Sequence, residues 1–77
     1  MKNEDIITTL EEATGTTTGS LQAETMLAEV LGWDSMGKLE FLAMIDEKFD
    51  LRLPEGAILK VVSVGDLCAA VTNASAS

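Results

Sequence analysis

Residues 34–49 form the longest amphipathic stretch of this 77-residue chain, and it carries apolar groups on two sides. At about 100° per residue, Phe41, Leu42, Ile45 and Phe49 fall within one arc about 100° wide. These large side chains are expected to form the core. On the opposite side Met36, Leu39, Glu40, Ala43 and Glu47 share an arc of similar width. A helix with a purely structural role is polar there. Apolar groups mixed with carboxylates suit a docking surface, although Met36 and Leu39 tucked against the preceding loop would give the same pattern.

The other segments are arranged around this helix. A first helix is expected from Asn3, a good N-cap, with Glu4 and Asp5 at the positive end of its dipole. Ile6, Ile7, Leu10 and Ala13 form its packed face, the intervening polar positions its wet face, and Gly15 its stop. Residues 14–20, rich in threonine and glycine, read as a connector. Leu21, Met26, Leu27, Val30 and Leu31 are candidate pins for a long loop, with a helical turn of its own within residues 22–30, ended by Gly32. The central helix starts at Asp34 or Ser35 and ends near Phe49. After a short exit, Pro54 suits the first turn of a third helix over residues 55–61, with Ile58, Leu59 and Val62 facing inward. Ser63 and Asp66 have the spacing of a capping box, opening a fourth helix that buries Val64, Leu67, Cys68 and Val71. Residues 73–77 are expected to fray. The fold class is therefore all-α: a four-helix bundle of three main helices and one short one, with a long loop after the first. It makes one domain over residues 1–77, ordered from about 3 to 73.

Charge and composition narrow the function. Thirteen acids against 5 bases give a net charge of −8. Such a surface repels nucleic acid and anionic membranes and attracts basic protein partners. The chain has no histidine and one cysteine, Cys68. A Ser-His-Asp hydrolase, an internal disulfide and a Cys/His zinc site are all excluded. The acid pairs Glu11-Glu12 and Asp46-Glu47 read as solvated helix faces, and they lack the spacing of a calcium loop. No apolar run approaches the roughly 20 residues that span a bilayer, and residues 1–5 lack a signal peptide's pattern. A cytoplasmic monomer is expected.

Asp34-Ser35 opens the central helix, and either side chain can cap it. If Asp34 is the cap, Ser35 occupies the first helical position. Its hydroxyl then points to solvent and is open to modification, and the helix N-terminus favours a phosphate there. Asp34 opposes that preference with its own charge.

The run Leu31-Gly32-Trp33-Asp34-Ser35-Met36, with Glu40, Phe49-Asp50 and Val64-Gly65-Asp66, resembles the acyl carrier protein family. The family's signature is an Asp-Ser-Leu or Asp-Ser-Met triplet opening the second helix. The resemblance covers nearly the whole chain and is strongest over residues 27–71. It implies that Ser35, beside Asp34, receives 4′-phosphopantetheine from coenzyme A through a phosphopantetheinyl transferase that uses magnesium. The arm's thiol would carry acyl intermediates as thioesters in fatty acid, polyketide or related lipid biosynthesis. The protein would be a carrier and not an enzyme. Its implied partners are that transferase, an acyl- or aminoacyl-loading ligase, and synthase enzymes with basic docking patches. Met36, Leu39, Glu40, Ala43 and Glu47 match the family's docking face.

Four positions depart from carriers of primary fatty acid synthesis: Gly37 and Lys38 after the triplet, Lys48, which dilutes the acidic run Asp46-Glu47, and Trp33 before the triplet. Gly37 is expected to weaken the first turn by roughly 1 kcal/mol relative to alanine. Lys38 puts a positive charge near the modification site. Asp-Ser-Met-Gly is also similar to D-alanyl carrier proteins. These features point to a specialised carrier. An aminoacyl (D-alanyl or peptidyl) carrier, and an interaction module in which Ser35 only caps a helix, stay open as alternatives.

Overall fold

The computed structural model describes residues 2–54 and 56–76. Among them four α-helices follow in order: α1 (Asn3–Thr14), α2 (Ser35–Phe49), α3 (Gly56–Leu59) and α4 (Val64–Ala76). A 3-10 turn at Leu27–Glu29 interrupts the long α1–α2 connection. This is the expected all-α arrangement. α1 packs on α2 and α4, and α3 packs on α4. Ile6 and Leu10 of α1, Phe41 and Ile45 of α2, and Leu67 and Val71 of α4 are fully buried in the core. The expectations for Glu55 and Ser77 fall outside the described residues.

α1 begins one residue off the expected cap. Asn3 is its first helical residue, and Lys2 holds the cap position without a side-chain bond, since an ammonium has no acceptor. Gly15 ends α1 in the left-handed conformation. Thr16 N–H donates to the Glu11 carbonyl at 2.8 Å and Gly15 N–H to the Glu12 carbonyl at 3.4 Å, the paired bonds of a glycine-terminated helix.

The wet face expected of α1 is only partly wet. Thr9 is buried, its hydroxyl donating to the Asp5 carbonyl at 2.9 Å. Glu11 is 2% exposed, so it does not share the solvated face with Glu12. Its Oε2 accepts from Gly19 N–H at 2.9 Å and Leu21 N–H at 3.1 Å. The loop folds back over α1, and its backbone donors need an acceptor there. Glu11→Ala is expected to lower stability by about 1–3 kcal/mol by orphaning these donors. Urea unfolding checks this, and an unchanged midpoint would mean that the loop finds its acceptors elsewhere.

Leu27 and Val30 pin the loop to the core and Leu21 is half-buried, but Met26 and Leu31 are exposed. Met26 forms an isolated antiparallel bridge with Ser63, in which Leu27 N–H donates to the Val62 carbonyl and Val64 N–H to the Thr25 carbonyl. Side chains alternate along such an extended stretch, so Leu27 turns in and Met26 turns out. The bridge also corrects α3 and its exit. Ile58 is buried as expected, whereas Leu59 and Val62 are 66% and 54% exposed.

At the start of α4, Ser63 Oγ accepts from Asp66 N–H at 3.1 Å, and Asp66 Oδ2 accepts from Ser63 N–H at 3.3 Å. This is the expected capping box with aspartate in the glutamate position. Val64, Leu67, Cys68 and Val71 are all buried. Burial pushes the Cys68 thiol pKa up, which keeps it protonated and unreactive. α4 runs on to Ala76, so residues 73–76, expected to fray, are helical.

Candidate functional site at the start of α2

Three backbone segments meet where α2 begins. Gly32 adopts φ +94, and a Cβ there would lie 2.6 Å from the Thr14 carbonyl oxygen. Gly37 is buried, and a Cβ on it would collide with the Gly32 carbonyl oxygen. The end of α1, the turn before α2 and the first turn of α2 therefore stack with no room for side chains. This overturns the reading of Gly37 as a mere weakening of the helix. Gly37→Ala is expected to cost about 1–3 kcal/mol through overpacking, despite alanine's better helix propensity. Thermal unfolding checks the sign, and a stabilised variant would refute the packing account.

That stack fixes the roles of Asp34 and Ser35. Asp34 is extended (φ −118, ψ −168) and is the cap, its Oδ1 accepting from Gly37 N–H at 2.8 Å. Ser35 is the first helical residue and is exposed. Its hydroxyl has no hydrogen-bond partner among the described residues. The geometry thus separates two functions that sequence spacing left entangled: the carboxylate caps, and the hydroxyl stands free at the positive end of a 15-residue helix.

Trp33 is half-buried against the core, its ring edge-on to Phe41 with centroids 5.8 Å apart at 74°. The Lys38 ammonium lies 6.0 Å from the Trp33 ring centroid, within cation–π range. Reading the sequence alone missed this contact. Helical spacing carries no signal for it, because Trp33 lies before α2 begins and five residues do not bring two side chains onto one face.

The opposite face of α2 is open along its length. Met36 is 74% and Leu39 55% exposed, and Glu40, Ala43 and Glu47 are exposed beside them. Met36 and Leu39 therefore do not tuck against the preceding loop. Phe41 and Ile45 are buried on the other side, with Leu42 and Phe49 packed at the core's edge. Lys48, at the far end, pairs with Glu12 of α1 at 2.6 Å.

A cavity of about 360 Å³ lies between the end of α1 and the loop, lined by Thr14, Thr16, Leu21, Val30 and Leu31 among others. Neither Ser35 nor the open face of α2 contributes to it. No helix among the described residues is long and apolar enough to cross a membrane.

The family model described as "Phosphopantetheine attachment site" matches residues 4–71. The acyl carrier protein of Shigella flexneri is 34% identical over 77 residues, covering 100% of this chain and 99% of the relative. The acyl carrier protein of Acidothermus cellulolyticus is 30% identical over 81 residues, covering 100% of this chain and 96% of its own. That of Helicobacter pylori is 30% identical over 64 residues, covering 83% and 82%. The group borne by this family is covalently attached 4′-phosphopantetheine, and its members are carriers and not catalysts. An unpartnered, exposed hydroxyl beside an acid already engaged as a helix cap fits such a group. A phosphopantetheine attachment model matching nearly end to end, with full-length relatives in agreement, shows that this chain belongs to the acyl carrier protein family.

Proposed function

We propose that Ser35 carries the 4′-phosphopantetheine arm, making residues 1–77 a single cytoplasmic carrier domain for fatty acid, polyketide or related lipid biosynthesis. The observation that supports this most is the free Ser35 hydroxyl at the first position of α2. A capping serine would have its oxygen engaged by a backbone N–H, and here Asp34 has that bond. Attached at Ser35, the group supplies a thiol that holds an acyl cargo as a thioester.

The open face of α2 supports the second half of the reading. Glu40 and Glu47 steer enzymes with basic patches toward Ser35, and Met36, Leu39 and Ala43 give them small apolar contacts. A carrier visited by a transferase, a loading ligase and synthases in turn needs fast encounter and easy release. Lys38 would narrow the choice of partners, in keeping with a specialised carrier.

The test is intact-protein mass before and after incubation with coenzyme A, magnesium and a promiscuous phosphopantetheinyl transferase. A gain of one phosphopantetheine supports the reading. No gain, in a folded sample shown to start unmodified, refutes it. In the same assay, Glu40→Lys is expected to slow loading by up to about 10-fold at low ionic strength. The difference should shrink as salt screens the surface. A deficit that salt leaves unchanged would count against steering.

A further inference from the structure

Lys38 is the base nearest in sequence to Ser35, three residues along the same helix. Side chains three apart on a helix are neighbours. At about 100° per residue, Lys38 lies roughly 60° to one side of Ser35, and Met36 and Ala43 lie roughly 80–100° to the other. Its ammonium rests over the Trp33 ring, and among the described residues it forms no ion pair. Lys48, by contrast, is paired with Glu12. A partly exposed ring face holds a cation weakly. A phosphodiester oxygen is a full anionic acceptor and holds it more strongly.

We propose that Lys38 is a positioning residue for the arm: once Ser35 bears its phosphodiester, the ammonium leaves Trp33 and pairs with that phosphate. This rests on the reading of Ser35 as the attachment site. The pairing draws the root of the arm toward Trp33 and away from Glu40 and Glu47, whose charges repel it. The docking face stays uncovered, and the rest of the arm leaves the helix in a defined direction. Trp33 is thereby a built-in reporter, since it is the sole tryptophan and the chain has no tyrosine.

The experiment compares wild type, Lys38→Gln and Lys38→Arg, each unloaded and fully loaded, with loading verified by intact mass. Trp33 emission is expected to shift on loading in wild type and Lys38→Arg, and to stay fixed in Lys38→Gln. The wild-type shift should shrink as salt is raised. Loading should also lower the unfolding equilibrium constant of wild type about 1.4- to 5-fold more than that of Lys38→Gln, the range of an exposed ion pair. Loading that moves the emission and stability of wild type and Lys38→Gln alike overturns the proposal, as does a wild-type emission that loading leaves unchanged. A mass that rises in none of the three overturns the Ser35 reading and this inference with it. The mass alone tells that failure from a failure of Lys38.

Discussion

Ser35→Ala is expected to take up no phosphopantetheine while unfolding within about 0.5 kcal/mol of wild type. The two halves of this result come from different observations. Loading is lost because the substitution removes the hydroxyl proposed to accept the arm. Stability is kept because that hydroxyl bonds to nothing in the fold and the cap of α2 belongs to Asp34. Were Ser35 the cap, its removal would cost about 0.5–2 kcal/mol. Urea unfolding of the variant therefore separates a serine kept for modification from one kept for structure. Asp34→Ala should show the reverse balance, with its loss appearing in stability. Loading that survives in Ser35→Ala would move the attachment to another hydroxyl.

The second large effect lies in the core. Phe41→Ala is expected to cost about 3–5 kcal/mol. Phe41 is fully buried and supports Trp33 edge-on, so its loss opens a cavity and also frees the turn that leads into Ser35. For a domain of 77 residues, total stability is on the order of 4–12 kcal/mol. The variant should sit near its unfolding transition at physiological temperature. Chemical denaturation followed by Trp33 emission measures both consequences. A cost below about 1 kcal/mol would mean that the buried and open faces of α2 are reversed.

The features legible in the sequence were those set by local chemistry. The apolar spacing of Phe41 and Ile45 fixed the buried face of α2, and the Ser63–Asp66 pair fixed the start of α4. Asp34 and Ser35 were visible as the start of α2, but spacing alone did not decide which of them capped it. That decision rests on the approach of Gly37 N–H to the Asp34 carboxylate. Gly37 read as a defect because its cost is local and its reason is not: the Gly32 carbonyl that excludes a side chain comes from the preceding turn. Glu11 read as wet because its partners, Gly19 and Leu21 N–H, are brought to it only by the path of the loop. Leu59 and Val62 were misplaced because a four-residue helix has too little periodicity to fix a face, and the Val62 carbonyl is committed to Leu27. The pattern is physical. Contacts within one turn leave a mark on spacing, and contacts made by loop backbone do not.

The most direct test of the attachment site is fragmentation mass spectrometry of the loaded protein after proteolysis. The added phosphopantetheine is expected on the peptide containing Ser35, with fragment ions that place it on that residue. The group found instead on Ser20, Ser63 or any other hydroxyl would contradict the account, whatever the total mass of the loaded protein.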